Sequence, residues 1–284
     1  MVSIIERAPA KINLGLDVLG KRDDGYHDLS MVMVSVDLCD YITLSDRDDE
    51  VIVVTSNSTK MPVNGKNDVF KAAQLLKDTY GITKGVCIDL DKKIPICAGM
   101  GGGSSDAAAT IRGLSKLWQL NLSKQDMITI GKQIGSDVPY CIAGGCALVG
   151  GMGEKVDCIE GTLSSWVVLV KPEFGISTRT VFPEVDCQDI SRVDISSIVK
   201  ALKDDDYPAL IANMGNSLED ISIARKPFIQ KIKDKMMLSG ADIALMTGSG
   251  PTVFALCKTE KQANRVVNSL KGFCKEVYKV RTLQ

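Results

Sequence analysis

A run of three glycines at positions 101–103 constrains the fold of this chain more than any other feature of its sequence. Before the run, Val86, Ile88 and Leu90 alternate with other residues, which predicts a strand. After it, an alanine-rich stretch predicts a helix over residues 105–118. Glycine loses much backbone entropy on folding, so three in a row are expected where the backbone approaches a ligand closely. A glycine loop that leads into a helix offers free N–H groups and the positive end of the helix dipole, which predicts an anion site.

Two common nucleotide-binding loops do not fit this segment. A P-loop ends in Gly-Lys-Ser/Thr, whereas these glycines continue into Ser104, Ser105 and Asp106 without a lysine. A dinucleotide-binding loop needs the pattern Gly-x-Gly-x-x-Gly, and Ser104 stands where the last glycine is required. A tight turn without any ligand stays open as the structural alternative.

The composition limits the class of protein. The chain has 284 residues, enough for one large domain or two modest ones. Its 34 Lys and Arg nearly balance 35 Asp and Glu, so we expect no nucleic-acid partner, because such a partner needs a clustered basic excess. The nine cysteines form no Cys-x-x-Cys pair and there is a single histidine. We therefore expect reduced core thiols and no metal site from the protein alone.

The sequence suggests a cytoplasmic protein that is organised in two parts. No leader precedes Ala8, and no apolar run approaches the roughly 20 residues of a membrane helix, so no membrane partner is expected. Residues 11–18 alternate strictly, which predicts a half-buried strand with Lys11 and Asn13 on the face opposite the core. The pattern restarts after Gly161, so we place a domain boundary near residues 155–165.

Four sites in the sequence allow both a structural and a chemical interpretation. Asp137 could cap a helix, or it could orient an attacking hydroxyl in phosphoryl transfer. Lys11 could simply be solvated, or it could pair with a phosphate or a carboxylate. Tyr26 and His27 could be an ordinary turn, or they could hold a planar group. Residues 247–252, Thr-Gly-Ser-Gly-Pro-Thr, could be a hairpin turn or a second phosphate-facing loop.

Three motifs in order carry a family resemblance. Pro-Ala-Lys-Ile-Asn-Leu at 9–14, Gly-Gly-Gly-Ser-Ser-Asp-Ala-Ala at 101–108 and the motif at 247–252 resemble the signature motifs of the GHMP kinases. This superfamily includes galactokinase and homoserine, mevalonate and phosphomevalonate kinases. Residues 8–27 and Gly-Ser-Asp-Val-Pro at 135–139 resemble one branch closely. That branch phosphorylates the 2-hydroxyl of 4-diphosphocytidyl-2-C-methyl-D-erythritol in the non-mevalonate isoprenoid pathway, and the similarity runs nearly end to end.

The resemblance implies a fold, cofactors and partners. It implies the α+β, two-domain GHMP kinase architecture, with an N-terminal ATP-binding domain of the ribosomal-protein-S5-like type at residues 1–160 and a ferredoxin-like C-terminal domain at residues 161–284. It implies an ATP-dependent small-molecule kinase that uses Mg²⁺, with Ser105 as a contact to the metal. The acceptor would be a cytidine diphosphate-linked methylerythritol, and the protein would be a monomer or a homodimer.

The resemblance also implies roles for individual residues. Lys11 and Asp137 match the catalytic pair. The acceptor would contact Asn13, Tyr26, His27, Thr178 and Phe182, of which Tyr26 and Phe182 would stack on the cytosine while His27 forms a hydrogen bond to it. A phosphate-proximal loop would contain Gly248, Ser249 and Gly250. ATP would contact Asn67, Lys92, Pro95, Ile96, Cys97, Ala98, Gly99, Met100, Gly101, Gly102, Gly103, Ser104 and Ser105.

Some features of the sequence depart from the family pattern. Many members have more glycine where this chain has Cys97 and Ala98, and leucine is common at the position of Met100. We expect these differences to alter nucleotide affinity without removing the anion site. Two alternatives stay open: another small-alcohol GHMP kinase of drifted specificity, and a non-catalytic nucleotide-binding relative.

Overall fold

The computed structural model describes residues 2–160, 163–185 and 190–283. Within these ranges, strands and helices occur in mixed order, which confirms the predicted α+β class. The strands are β1 (Ser3–Lys21), β2 (His27–Arg47), β3 (Ile52–Ser56), β4 (Gly85–Asp91), β5 (Cys146–Gly151), β6 (Lys155–Cys158), β7 (Trp166–Lys171), β8 (Gly215–Asn216), β9 (Ile243–Met246), β10 (Val253–Cys257) and β11 (Glu276–Arg281). The helices are α1 (Asp68–Tyr80), α2 (Gly102–Leu117), α3 (Lys124–Gly131), α4 (Val138–Ala143), α5 (Thr178–Val185), α6 (Ile195–Lys203), α7 (Tyr207–Asn213), α8 (Glu219–Arg225), α9 (Phe228–Leu238) and α10 (Glu260–Leu270). In the ranges just given, no helix combines the length and apolar character that a membrane span needs.

The strands form two sheets. One has the order β3-β4-β2-β1-β8, with β5 paired to β2 and β6 paired to β5, and the other has the order β11-β7-β10-β9. The chain divides into two compact units, and β1 and β2 each pass from one unit into the other. The boundary near residue 160 stays a prediction, and Gly161 lies outside the described residues. The first unit comprises Met1–Ala10, Leu38–Ile96 and Gly101–Gly144, and the second comprises Lys11–Asp37, Cys97–Met100 and Gly145–Gln284.

In the first unit, three strands support the helices that precede and follow the glycine run. The end of β2 pairs antiparallel with β4, and β3 pairs parallel with β4. Helix α1 begins after Asn67, whose side chain accepts a hydrogen bond from the Val69 N–H, and ends at Gly81 with a left-handed φ of 63°. These are the ordinary start and stop signals of a helix. Helix α1 packs against α2.

Helix α2 starts earlier than the sequence indicates. It begins at Gly102 rather than near Ser105, so two of the three glycines form its first turn. The first N–H groups of a helix have no intrahelical partner, so glycine weakens a first turn less than a helix interior. Gly101 adopts a left-handed φ of 68°, and its carbonyl accepts from the Ser105 N–H at 2.8 Å. The glycine run therefore forms the N-terminus of the helix itself.

In the second unit, the prediction of a half-buried β1 is wrong. Every residue from position 10 to position 18 is buried, including Lys11 and Asn13. The polar face is covered because Thr247 contacts Asn13 and because α6 packs closely on Gly15. Alternation in a sequence shows which residues share a face, but it cannot show that a later segment covers the polar face.

The four-stranded sheet of the second unit is antiparallel throughout. β7 pairs with β10 and β11, and β9 pairs with β10. Helices α9 and α10 pack against these strands. Residues 247–252 connect β9 to β10, so the hairpin interpretation of this motif is confirmed as far as its position is concerned.

The expectation of reduced core thiols is only partly correct. None of the eight described cysteines forms a disulfide, and Cys187 lies outside the described residues. Cys97 and Cys158 are exposed, however, and Cys97 lies in the segment just before the glycine run.

Candidate active site

The N-terminus of α2 has the geometry expected of an anion site. No side chain caps it, and Gly103 is exposed while Gly101 and Gly102 are partly so. The helix is 16 residues long, so its dipole places partial positive charge at this end. The free N–H groups of the first turn are therefore available to an anion from solvent.

The residues near this helix end do not fit a metal held by the protein. Ser105 is 1% exposed, and its hydroxyl donates to the Pro9 carbonyl at 2.7 Å. In the described ranges, no group of three or more His, Cys, Asp or Glu side chains is arranged to hold a metal ion. The contact between Ser105 and Mg²⁺ stays a prediction, and the burial of the hydroxyl does not favour it.

Two glycine-containing loops of the second unit lie in direct contact. Gly99 has a φ of +74°, and a Cβ atom added there would lie 2.6 Å from the Thr247 carbonyl oxygen and 3.0 Å from that of Gly250. A Cβ atom at Gly248 would lie 3.1 Å from the Gly99 carbonyl oxygen. The contact requires glycine because backbone meets backbone. The segment just before the glycine run and the motif at 247–252, although widely separated in sequence, are thus neighbours in space.

Lys11, in the motif at 9–14, also lies at this contact. Its backbone N–H donates to the Met100 carbonyl at 3.0 Å, and its Nζ lies 3.6 Å from the position of a Cβ atom on Gly248. Nζ donates to Asn13 Oδ1 at 2.8 Å, and the same oxygen accepts from Thr247 Oγ1 at 3.2 Å. Lys11 is 5% exposed and Asn13 is fully buried. The solvated interpretation of Lys11 is therefore wrong, since its ammonium group is fixed where two loops meet.

Asp137 occupies the N-cap position of α4, but its side chain makes no capping hydrogen bond. The structural interpretation of Asp137 as a helix cap is therefore not realised. A Cβ atom at Gly135 would lie 3.9 Å from Ser104 Oγ, so the segment that carries Asp137 lies beside the first turn of α2. Both belong to the first unit, so the backbone segment that carries Asp137 lies beside the helix end where the anion site is predicted.

Helix α5 carries two residues predicted to contact the acceptor. Thr178 and Phe182 are one turn apart and share a face of the helix. The rings of Phe182 and His27 have centroids 5.0 Å apart and are tilted by 35°. Thr178 Oγ1 lies 2.9 Å from Ser249 Oγ. Tyr26, which precedes His27 in the sequence, is 64% exposed. The second unit therefore brings together an aromatic–imidazole pair and a pair of hydroxyls.

Two predicted nucleotide contacts have their side chains engaged within the protein. Asn67 Oδ1 accepts from the Val69 N–H, and Asn67 Nδ2 donates to the Pro62 carbonyl at 2.8 Å. The Lys92 ammonium group is paired with Asp40 and Asp106. The nucleotide roles of Asn67 and Lys92 stay predictions.

Sequence reasoning missed Asn216, which determines the shape of the loop after β9. Its amide nitrogen donates to the carbonyls of Met246 and Gly248, each at 2.8 Å. Its oxygen accepts from the Leu218 N–H at 3.0 Å. No sequence signal could identify Asn216, because its partners in the loop are 30 and 32 positions away.

Comparison with known proteins identifies the family. Residues 67–145 match the sequence model for the GHMP kinases N terminal domain, and residues 198–276 match the one for the GHMP kinases C terminal. A relative from Streptococcus uberis is 73% identical over 283 residues, which cover 100% of both chains. The chain belongs to the GHMP kinase family.

The names of individual relatives point to one branch. The Streptococcus uberis protein is named "Putative 4-diphosphocytidyl-2-C-methyl-D-erythritol kinase". A crystal structure of a 4-(cytidine 5'-diphospho)-2C-methyl-D-erythritol kinase is 27% identical, covers 99% of this chain and 100% of its own, and has a TM-score of 0.84. A homoserine kinase from Cytophaga hutchinsonii shares the fold at 20% identity, with 99% and 96% coverage and a TM-score of 0.81.

Proposed function

We propose that this kinase transfers the γ-phosphoryl group of ATP to the 2-hydroxyl of 4-diphosphocytidyl-2-C-methyl-D-erythritol. The observation that supports the proposal is the position of Lys11, which contacts Met100 just before the glycine run and lies against Gly248 of the motif at 247–252. The choice of acceptor rests on the named relatives and on the pairing of His27 with Phe182. We propose that the enzyme works in the cytoplasm as a monomer or a homodimer.

ATP binding is assigned to the N-terminus of α2 and the loop before it. N–H groups of the first turn would donate to phosphate oxygens, and the helix dipole would offset their negative charge. Because the described residues form no metal site of their own, Mg²⁺ would enter as part of the MgATP substrate. The exposed backbone at Gly103 is suited to this close approach.

Phosphoryl transfer is assigned to Lys11 and Asp137. The acceptor oxygen would form a bond to the γ-phosphorus while the bond from that phosphorus to the bridging oxygen breaks and ADP leaves. Asp137 would orient the hydroxyl and take its proton, and Lys11 would stabilise the charge on the transferred group. Lys11 is already held by Asn13 and by the backbone of Met100, so little reorganisation would be needed, which is how phosphoryl transfer gains most of its rate.

Acceptor recognition is assigned to residues of the second unit. Tyr26 and Phe182 would stack on the cytosine, and His27, whose ring lies against Phe182, would form a hydrogen bond to it. Thr178 and Ser249 present neighbouring hydroxyls that suit the polar part of the acceptor. Asn13 would act mainly by fixing Lys11, since its oxygen already accepts two hydrogen bonds.

A turnover assay tests the proposal directly. Release of ADP would be measured with the cytidyl compound and, in parallel, with mevalonate, phosphomevalonate and homoserine. We expect turnover with the cytidyl compound alone. Turnover of mevalonate without any on the cytidyl compound would show instead a small-alcohol kinase of drifted specificity, and ATP binding without turnover of any acceptor would show a non-catalytic relative.

Substitution of Asp137 separates chemistry from binding. We expect Asp137→Asn to abolish turnover while the dissociation constant for ATP changes little, because the amide cannot accept the proton. Asp78→Asn, at an exposed position of α1, is the matched control and should behave as the parent protein. Parent-like turnover by Asp137→Asn would remove Asp137 from the mechanism.

A further inference from the structure

The two ends of the nucleotide loop are tied together by a buried group of charges, which we call the Lys92 cluster: Asp40, Lys92 and Asp106. Lys92 follows β4 at the start of the loop, and Asp106 lies in α2 at its end. Lys92 Nζ is 2.5 Å from Asp106 Oδ2 and also contacts Asp40 Oδ2. The Lys92 side chain is 6% exposed and the two carboxylates are fully buried. These groups belong to the first unit, and none of them takes part in the proposed mechanism.

Asp40 extends the cluster to the backbone of the loop. Its second oxygen, Oδ1, accepts from the N–H groups of Lys93 at 2.5 Å and Ile94 at 2.8 Å. The first residues of the loop are therefore held to β2, and the same carboxylate holds the ammonium group that reaches α2. Breaking the contact between Lys92 and Asp106 would leave the start of the loop fixed while freeing the helix end.

The ammonium group of Lys92 is fully occupied by its two ion pairs. Two carboxylates face one ammonium group, and a buried ammonium group between two carboxylates has little remaining attraction for a further anion. Asp106 Oδ1 is buried without a hydrogen-bond partner. Burial raises the pKa of Asp106, and the charge of Lys92 opposes this rise.

The cluster lies against the anion site. Lys92 Nζ is 3.6 Å from the position of a Cβ atom on Gly102, the first residue of α2. A shift of the contact between Lys92 and Asp106 would therefore move the first turn, whose N–H groups are the ones proposed to bind phosphate.

We infer that Asp40, Lys92 and Asp106 are positioning residues, which hold the first turn of α2 in place for the phosphates while the Lys92 ammonium group itself does not contact the nucleotide. The inference rests on the proposed function, because it assumes that ATP binds at this helix end. It assigns the Lys92 side chain a different role from the direct contact with ATP that the family resemblance implies.

Asp106→Asn tests the inference, because it preserves the shape of the side chain, removes one charge and leaves Lys92 paired with Asp40. Binding of MgATP would be measured by calorimetry without acceptor, and the KM values for both substrates by turnover. We expect the dissociation constant and KM for ATP to rise about tenfold. A misplacement of about 1 Å can cost roughly a hundredfold, and the expected shift of the first turn is smaller. The KM for the acceptor should stay within about twofold, because a local shift of α2 leaves its contacts in place.

A direct contact between Lys92 and the nucleotide gives the opposite result. Removing the charge of Asp106 would then free the ammonium group, and ATP affinity would stay equal or increase. That outcome would overturn the inference. Asp89→Asn is the matched control, since Asp89 is an exposed carboxylate of β4 that accepts from Thr55 Oγ1, and it should leave ATP affinity unchanged.

Hydrogen exchange provides a readout that needs no nucleotide. In Asp106→Asn, amides of residues 94–106 should exchange faster than in the parent protein, while amides of β7 should not change. Equal exchange in the loop would also overturn the inference. If the parent protein binds no ATP, the proposed function fails, and the exchange measurement still decides whether the cluster holds the loop.

Discussion

Gly99→Ala tests whether the contact between the two glycine loops is needed for both stability and activity. Gly99 adopts a left-handed φ of +74°, and an added Cβ atom would lie 2.6 Å from the Thr247 carbonyl oxygen and 3.0 Å from that of Gly250. Both neighbours are backbone atoms, so neither can rotate away as a side chain could. The loops must separate, and the hydrogen bond from the Lys11 N–H to the Met100 carbonyl lies at that contact.

The expected cost has two parts that a control variant separates. A left-handed backbone costs alanine about 1–2 kcal/mol relative to glycine, and forcing an extra carbon into packed surroundings adds about 1–3 kcal/mol. Gly99→Ala should therefore lower the free energy of unfolding by about 2–5 kcal/mol. Gly81 has a similar φ of +63°, and nothing lies within 4 Å of its added Cβ atom. Gly81→Ala should show only the backbone cost.

Urea unfolding and steady-state kinetics measure the two consequences. We expect Gly99→Ala to be less stable than Gly81→Ala and to lose at least about tenfold in kcat, because Lys11 moves with the loops. Gly81→Ala should retain the parent kcat, since Gly81 is exposed at the end of α1 opposite to Asn67. Equal stability of the two variants, together with parent-like kcat in Gly99→Ala, would refute the conclusion that the loops must touch.

Three further variants or labels test other parts of the site. Asn216→Asp places a carboxylate opposite the carbonyls of Met246 and Gly248 and should cost about 1–3 kcal/mol of stability, with a fall in kcat measured in the same assay. Asn67→Ala removes the cap of α1 and should lower the free energy of unfolding by about 1 kcal/mol, measured by urea unfolding. A thiol reagent should modify exposed Cys97, and MgATP should slow the reaction, as measured by peptide mass spectrometry. Cys257 should stay unmodified, because burial raises the pKa of its thiol to about 12.

Each of these predictions has a control and a contrary outcome. Asn264→Asp changes an exposed amide whose oxygen accepts a hydrogen bond from Lys279, so it should be silent. An equal loss in both Asn-to-Asp variants would contradict the role of Asn216. Asn67→Asp keeps the acceptor oxygen and should restore most of the stability lost in Asn67→Ala. Modification of Cys97 at an unchanged rate under saturating MgATP would argue against nucleotide binding at that segment.

Local features were predictable from the sequence, while features set by distant contacts were not. Helix α1 was predictable at both ends, because Asn67 and Gly81 act on backbone groups within a few residues. Strand β4 before the glycine run was predictable too, because the alternation of Val86, Ile88 and Leu90 is a local pattern. The burial of Lys11 was not, because it depends on Thr247, more than 230 positions later in the chain.

The same distinction applies to the candidate site. The motifs predicted which segments carry chemistry, and the second unit brings Lys11, residues 97–100 and residues 247–250 together. The engagement of Lys92 was not predictable, since Asp40 lies 52 positions before it and carries no local signal. Asn216 was missed because hydrogen bonds to carbonyls of another segment leave no pattern in the sequence.

The packing of His27 on Phe182 provides an intrinsic NMR signal for acceptor binding. The chain has one histidine, so its imidazole protons give a single set of resonances in a proton NMR spectrum. Phe182 lies 5.0 Å away, close enough for its ring current to shift those resonances. A small displacement of α5 therefore changes the spectrum without any added label, and the same signal can follow its motion during titration with fragments of the acceptor.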